Sequence, residues 1–179
     1  MTAANLADQF GMSLSEGEEF YSKYKKSLPT LFSWEDRTKR RCKREGTAYT
    51  YFGRPRRVAY YFQNGQAGFG YRTIINTIIQ GSASDILKIA FMKLWKNVLN
   101  HESYREKVRF ITTVHDEINY AVHKSVFTEV LPIIIDCMKF TTPEWKVDLE
   151  VEATIGMSWG DGFSIAYDEE KDCWVPNLV

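Results

Sequence analysis

The chain has 179 residues, no formal net charge and a hydrophobic fraction of 44%. This composition supports one packed domain, or a compact part of a larger one, and excludes wholesale disorder. No apolar run reaches the roughly 18–20 residues that a membrane-spanning helix needs, and the N-terminus lacks a signal-peptide pattern. The three cysteines lie far apart without CxxC spacing, which indicates a reduced, cytoplasmic setting. Because no segment could span a membrane, we expect no membrane partner.

Charges of opposite sign are segregated along the chain. Residues 23–57, the basic block, contain twelve Lys and Arg against three acidic residues, a local charge of +9. Residues 141–179 contain nine acidic residues against two lysines, a local charge of −7. A basic block of this kind suits the phosphate backbone of a nucleic acid, and a solvated helix face is the alternative.

Helix start and stop signals predict three helices in the first 46 residues. Thr2 can cap AANLADQF, which Gly11 ends. The segment SLSE, which begins at Ser13, has capping-box spacing and opens a second helix. A third helix can begin at Pro29 and end at Gly46, and it carries most of the basic block.

The middle of the chain changes from an alternating pattern to a helical one. The segment TAYTYFGRPRRVAYYF (residues 47–62) alternates around Gly53 and Pro55, which predicts a β-hairpin. From Tyr71 to about Leu99, apolar residues recur at spacings of three and four, which predicts a long helix that Gly81 could kink.

The second half alternates between strand and helix patterns. The predicted order is strand VRFITTV, a turn, strand INYAVH, helix VFTEVLPIIIDCMKF and strand KVDLEVEAT. The sequence after Gly156 predicts an irregular tail with at most one short strand. The fold class is therefore α+β, with helices packed on a small antiparallel sheet. No repeat or Pro-, Gly- or Ser-rich linker interrupts the chain, so residues 1–179 are expected to form a single unit.

A polar stripe lies on the predicted long helix opposite much of its apolar face. Arg72, Asn76 and Gln80 are four residues apart and so share one side. All three can donate hydrogen bonds, and the minor groove of a duplex presents acceptors in nearly the same places for every correct base pair. This Arg–Asn–Gln stripe could test base-pair shape without reading sequence, and a hydrated helix face is the alternative.

The segment FITTVHDEINYAVH places three ionisable residues between two predicted strands. His115, Asp116 and Glu117 form this hairpin tip, which an ordinary acidic turn would also explain. In the functional interpretation, Asp116 binds Mg²⁺, a hard ion that prefers carboxylate oxygen, and Glu117 is a second, weaker ligand.

Several short segments carry a resemblance to a known family. QGSASDILK (residues 80–88) followed by VHDE (residues 114–117) resembles the C-terminal half of family A DNA polymerases. MTAANLADQFGMS resembles the segment after that family's nucleotide-binding fingers helix, and TYFGRPRR resembles its TxxGRxR element. RTIINTIIQG resembles the stretch that leads into the QG motif, and VEATIGMSW resembles the closing strand. The resemblance covers about residues 1–160.

The resemblance implies a role for each matched residue. Asp116 matches a carboxylate of the second palm motif that binds catalytic Mg²⁺, Glu117 matches its acidic neighbour, and His115 matches a residue beside the primer terminus. Contacts to primer–template DNA are implied for Arg72, Asn76, Gln80, Arg54, Arg56, Arg57 and Thr2. The implied divisions are fingers-side helices (1–46), a hairpin (47–62), the palm helix, catalytic hairpin and closing strand (71–159), and an atypical tail (160–179).

Two elements of the family have no match in this sequence. They are the DYSQIE-like strand, which supplies the other metal-binding Asp, and the fingers helix that grips the incoming dNTP. Two-metal nucleotidyl transfer needs carboxylates on two strands. We therefore expect the chain to be inactive alone and to require an upstream polymerase polypeptide in a bacterial or phage-infected cell. A split gene, an internal start or a deliberately cut fragment would each give such a sequence.

Two functions from other classes compete with this interpretation. A non-catalytic DNA-binding module would keep the basic block and the Arg–Asn–Gln stripe, with the hairpin tip vestigial. A metallohydrolase would use Asp116 with His101, His115 and His123, although the eight-residue gap between the last two histidines matches no familiar ligand pattern.

Overall fold

The computed structural model describes residues 2–168, 170 and 173–176. The first half contains α1 (Ala3–Phe10), α2 (Leu14–Ser27), α3 (Pro29–Glu45), β1 (Thr47–Tyr49), β2 (Pro55–Arg57), α4 (Ala59–Gln63) and α5 (Ala67–Leu94). A π-helical turn (Trp95–Leu99) follows, and then β3 (Val108–Val114), β4 (Glu117–Val122), a 3₁₀ turn (Lys124–Val126), α6 (Phe127–Met138), β5 (Ala153–Ile155), β6 (Phe163–Asp168) and β7 (Cys173–Pro176). Helices combined with small antiparallel sheets confirm the α+β class.

The chain divides into two compact units, Met1–Ser82 and Ala83–Val179. The boundary falls inside α5. Among the described residues, β1 pairs with β2, β3 pairs with β4, and β5, β6 and β7 form a third sheet, all antiparallel. The assignment of residues 1–179 to one functional unit, and its division into fingers-side, hairpin, palm and tail segments, stays a prediction.

The three N-terminal helices begin and end where their capping residues predict. The Thr2 hydroxyl accepts a hydrogen bond from the Asn5 amide at 3.2 Å, which caps α1. Ser13 and Glu16 form the reciprocal capping box of α2. Gly46, with φ of 68°, ends α3 in the left-handed conformation that glycine adopts without steric cost.

Gly17 allows α1 and α2 to pack closely in the first unit. A Cβ at this position would lie 2.7 Å from the Ala3 carbonyl oxygen and 2.9 Å from the Ala7 Cβ. Because the first of these atoms belongs to the backbone, the two helices would have to separate. Ordinarily a glycine-to-alanine change inside a helix is stabilising by up to about 1 kcal/mol.

Gly17→Ala is therefore expected to lower the free energy of unfolding, by roughly 1–3 kcal/mol, because overpacking outweighs helix propensity. Urea unfolding followed by circular dichroism measures the change. Gly160→Ala is the matched control, since a Cβ there meets no atom within 4 Å. Equal unfolding free energies for Gly17→Ala and the wild type would contradict the close packing.

Only part of residues 47–62 forms the predicted hairpin. Thr47 pairs with Arg57 and Tyr49 pairs with Pro55, but Ala59–Gln63 is the helix α4 and not a continuing strand. The Tyr61 ring of this helix packs against the Phe69 ring, with the two ring centroids 4.9 Å apart. Phe62 and Tyr61 also pack against a core of Cys42, Ala48, Val58 and Ile74. Partial burial of these two rings against that core overrides their β propensity, which depends strongly on context.

The long helix begins earlier than predicted and is not interrupted at Gly81. Helix α5 starts at Ala67 and continues through Gly81 to Leu94. A Cβ at Gly81 would lie 2.9 Å from Thr50 Cγ2, so this glycine makes room for the β1–β2 turn. Arg54 Nη2 donates to the Gly81 carbonyl at 3.0 Å, and the Tyr51 amide donates to Ser82 Oγ at 2.8 Å. Gly81 therefore allows the turn to approach the helix, and the two hydrogen bonds hold it there.

Helix α6 has two apolar faces in the second unit. Val130 and Cys137 belong to a core with Leu94, Val98 and Val108. Leu131 and Ile135 belong to another core with Ile165 of β6. This second face needs a cover of its own, and the C-terminal sheet supplies it.

The described part of the tail is more regular than predicted. The predicted strand KVDLEVEAT forms a ladder only at Ala153–Ile155, apart from a single bridge between Phe140 and Leu149. The expectation of an irregular segment with at most one short strand was wrong, because β6 and β7 both lie after residue 160. The alternation of Phe163, Ile165 and Tyr167 was a legible strand signal. The remainder of the tail, at positions 169, 171, 172 and 177–179, falls outside the described residues, as does Met1.

Across the described ranges, no helix combines the length and apolarity that crossing a bilayer requires.

Candidate functional site

The hairpin tip is a two-residue turn in the second unit. Val114 pairs with Glu117, which leaves His115 and Asp116 as the central turn residues. His115 has φ of 54°, the one non-glycine residue with positive φ among those described. A positive φ at the first central position alone is the pattern of a type II′ turn, where glycine is usual. The ladder contains a bulge between Phe110 and Thr112, which increases local twist.

The left-handed conformation of His115 costs free energy that the surrounding ladder must offset. A non-glycine residue in this region carries a penalty of roughly 1 kcal/mol or more, and strain of this kind concentrates at functional sites. The imidazole is thus kept at a position where a glycine would be more stable. The sequence indicated the turn but not its handedness.

His115→Gly is expected to be more stable than His115→Ala by about 0.5–1 kcal/mol, because both lack the imidazole and only glycine relieves the strain. Urea unfolding of the two variants side by side measures the difference. A more stable alanine variant would show that His115 is unstrained in solution.

Three exposed ionisable side chains occupy the tip. His115, Asp116 and Glu117 all face solvent. Within the described ranges, neither carboxylate forms an ion pair or accepts a hydrogen bond. Carboxylate oxygens are the donors that Mg²⁺ prefers. The same described residues contain no cluster of three or more His, Cys, Asp or Glu that could hold a metal. The two carboxylates at the tip have the chemistry of a partial ligand set for Mg²⁺.

The histidines of the metallohydrolase alternative are engaged separately. His101 stacks on the Tyr104 ring with centroids 4.9 Å apart, and its Nδ1 accepts from the Ser103 amide at 3.4 Å. His123 caps the short 3₁₀ turn by accepting from the Ser125 amide at 3.2 Å. Neither histidine joins His115 in a metal-ligating cluster among the described residues.

The Arg–Asn–Gln stripe lies on α5 in the first unit. Arg72, Asn76 and Gln80 are all exposed, whereas Ile74 and Thr77 of the same helix are buried. The stripe extends about 12 Å along the helix axis. The Arg72 guanidinium lies 5.9 Å from the Phe69 ring centroid, within the range of a cation–π contact. The amides of Asn76 and Gln80 form no hydrogen bond with any side chain that the structure describes.

The other residues matched to DNA contacts fall into two groups. Arg56 and Arg57 of β2 are exposed. Arg54 and Thr2 already have structural partners, the Gly81 carbonyl and the Asn5 amide. The sequence did not reveal the first of these two contacts, because its partners are 27 residues apart.

Two features on β4 were also missed by the sequence reasoning. The Asn119 side-chain nitrogen and the Tyr120 hydroxyl are buried without a hydrogen-bond partner among the described residues. Burial raises the pKa of Tyr120 well above its ordinary range. The polar residues Asn119 and Tyr120 in the middle of the strand EINYAV were the available signal.

Comparison with known proteins gives a consistent result. The profile of DNA polymerase family A matches residues 1–161. The chain is 28% identical to DNA polymerase I of Rhizobium leguminosarum over 168 residues, covering 90% of this chain and 16% of that protein. It is 31% identical to DNA polymerase I of Streptococcus pneumoniae (serotype 4) over 156 residues, covering 86% of this chain and 17% of that protein. The chain thus spans less than a fifth of the length of these curated relatives.

A solved structure shows the same fold. The POL domain of Pol1 from M. smegmatis, in complex with DNA primer-template and dNTP, matches with a TM-score of 0.72 at 24% identity. The match covers 83% of this chain and 26% of that one. The α+β assignment as part of a polymerase domain is thereby confirmed. The family profile extends over most of the 179 residues, and so the chain belongs to DNA polymerase family A.

Proposed function

We propose that this chain is the C-terminal part of a template-directed DNA polymerase. In this role it contributes Asp116 to two-metal nucleotidyl transfer and holds primer–template DNA through α5. The observation that carries the proposal is the pair of exposed, unpartnered carboxylates on a strained turn between two paired strands. Membership of the family supports it.

Asp116 is suited to hold a cation because its position is fixed by the backbone. It sits in a turn of two residues, closed by the Val114–Glu117 pair and carried by strands of seven and six residues. Glu117 occupies the first position of β4 and adds a second negative charge beside it. His115, the other turn residue, can donate a hydrogen bond to a phosphate or sugar oxygen of the primer.

Magnesium ions would be held by Asp116, with Glu117 as the weaker ligand and with further carboxylate from a segment outside these 179 residues. When bound, the ions would supply activation of the attacking hydroxyl and neutralisation of the triphosphate charge. The donor count supports an outside segment, since the described residues bring no cluster of three or more ligands to the tip. That segment could lie on the same polypeptide or on a second one.

The remaining proposed contacts bind DNA. The Arg–Asn–Gln stripe presents donors along about 12 Å of rigid helix, which suits the shared acceptors of the minor groove. Arg56 and Arg57 supply exposed positive charge suited to phosphates. Arg54 and Thr2 complete the proposed set, and each also makes a hydrogen bond within the chain, to the Gly81 carbonyl and from the Asn5 amide respectively.

Complementation tests the proposal directly. The chain is mixed with a polypeptide that carries a metal-binding palm strand and a fingers helix from a family A polymerase, and primer extension is measured with dNTP and Mg²⁺. We expect no extension by the chain alone, extension by the mixture, and loss of extension when Mg²⁺ is removed with EDTA. Extension by the chain alone would contradict the need for an outside segment.

A non-catalytic DNA-binding module is the second candidate. It is favoured by the absence of a complete ligand cluster within the described residues and by the basic block. In that case the chain binds duplex DNA weakly and with strong salt dependence, and a mixture that extends primers does so regardless of the residue at position 116.

A further inference from the structure

The helical hairpin formed by α2 and α3 exposes aromatic rings beside cations. Phe20 and Tyr24 lie one turn apart on α2, with 53% and 45% of their surfaces exposed. Lys25 and Lys26 follow in the last turn of the same helix. Neither the hairpin tip nor the Arg–Asn–Gln stripe uses these residues.

The aromatic and cationic side chains contact one another directly. The Lys25 ammonium lies 4.7 Å from the Tyr21 ring centroid and 5.7 Å from that of Phe32 on α3. Tyr24 and Phe32 meet edge to face with centroids 5.6 Å apart. The contact between Tyr24 and Phe32 holds the Tyr24 ring in place across the two helices, so its exposed face is pre-ordered.

An ordinary solvated helix accounts for only part of this arrangement. Cations in the last turn of a helix complement its dipole, which explains Lys25 and Lys26 by itself. It does not explain two exposed aromatic rings on the same helix. An interface with another protein would explain the rings, but lysine is depleted from such interfaces. Rings combined with lysines in a block of charge +9 favour an anionic partner that also has flat apolar faces.

A nucleic acid combines negative charge with flat apolar base faces, and an unpaired strand leaves those faces open. In a duplex the base faces are stacked on each other and only the edges are open, whereas a single strand can stack its bases on aromatic side chains. We propose that the α2–α3 hairpin binds single-stranded DNA, with bases stacked on Phe20 and Tyr24 and phosphates held by Lys25 and Lys26. This inference rests on the proposed function, which supplies an unpaired template strand as substrate.

Binding of a fluorescein-labelled oligothymidylate of about 20 nucleotides, followed by fluorescence anisotropy, tests the proposal on the full chain. The Phe20→Ala/Tyr24→Ala double variant is expected to bind the single strand about 30-fold more weakly. Its affinity for a blunt duplex of the same length should change by less than about threefold. Phe163→Ala is the matched control, because Phe163 is an equally exposed ring (52%) outside the basic block. It should leave both affinities unchanged.

A second variant tests the phosphates and keeps the rings. Lys25→Ala/Lys26→Ala should flatten the slope of log affinity against log salt by about 1.4 for the single strand, measured between roughly 50 and 200 mM salt. Circular dichroism of every variant verifies the helical content.

Each result of these binding assays either supports or overturns single-strand binding by the α2–α3 hairpin. Selective loss of single-strand binding in the aromatic variant supports the proposal. Equal losses for single strand and duplex, an unchanged affinity, an equal loss in Phe163→Ala, or no binding by the wild type would each overturn it. The assay involves no synthesis, so its failure is separate from that of the proposed function. If complementation succeeds while this test fails, the polymerase assignment stands and the α2–α3 surface has another use.

Discussion

Asp116→Ala is expected to reduce primer extension by the complemented polymerase by at least about 1,000-fold. A metal-binding carboxylate supports several kcal/mol of charge stabilisation in the transition state, and about 4 kcal/mol corresponds to this factor. The turn itself should survive, because Asp116 is exposed and makes no side-chain hydrogen bond within the described residues. Primer extension under single-turnover conditions, with saturating DNA and Mg²⁺, measures the effect.

Two further variants separate lost metal binding from lost DNA binding. Asp116→Asn keeps the size of the side chain but removes its charge, and it should be nearly as inactive. Glu106→Ala removes an exposed carboxylate in the loop before β3 and should retain activity. Removing negative charge near the primer should preserve or strengthen the affinity for DNA. Fluorescence anisotropy with labelled primer–template DNA should therefore show equal or tighter binding by the Asp116 variants. Retained extension by Asp116→Ala would refute the catalytic assignment.

Arg72→Ala combined with Gln80→Ala is expected to weaken primer–template binding by about 10- to 100-fold. Two lost hydrogen bonds, one from a charged donor, account for this range. Because the minor-groove acceptors recur in every correct pair, the loss should be the same for templates of different sequence. The stripe should also discriminate against a mismatched primer end, since a mismatch displaces these acceptors. The ratio of matched to mismatched extension by the complemented polymerase should therefore fall in the variant.

Arg105→Ala and Gln63→Ala are the controls for charge and for amide loss. Both residues are exposed and lie outside the stripe. A loss of affinity that depends on base sequence, or one that these controls reproduce, would show that α5 contacts DNA in some other way. An unchanged mismatch ratio would leave only a general electrostatic role for Arg72.

Local signals in the sequence predicted the helices with well-marked ends. Thr2, Ser13, Pro29 and Gly46 act through hydrogen bonds or backbone preferences within a few residues, so the boundaries of α1, α2 and α3 follow from neighbouring positions. The strands β3 and β4 were predicted for the same reason, since alternation and a polar turn are local. The family could also be identified from the sequence, because several short motifs occur in a fixed order.

Tertiary packing decided the features that local patterns left ambiguous. Residues 59–63 alternate like a strand, yet burial of Tyr61 and Phe62 against other helices makes them helical. The tail forms two strands because Leu131 and Ile135 on the outer face of α6 need an apolar cover.

The same division holds for the candidate site. The sequence by itself identified the residues that we propose to hold metal and DNA: Asp116, Glu117 and the Arg–Asn–Gln stripe. Only the tertiary structure decided that His115 adopts a left-handed conformation and that Gly81 makes room for the β1–β2 turn. The reason is physical: residue type and spacing set what a side chain can bind, whereas backbone strain and close approach depend on contacts between residues far apart in the chain.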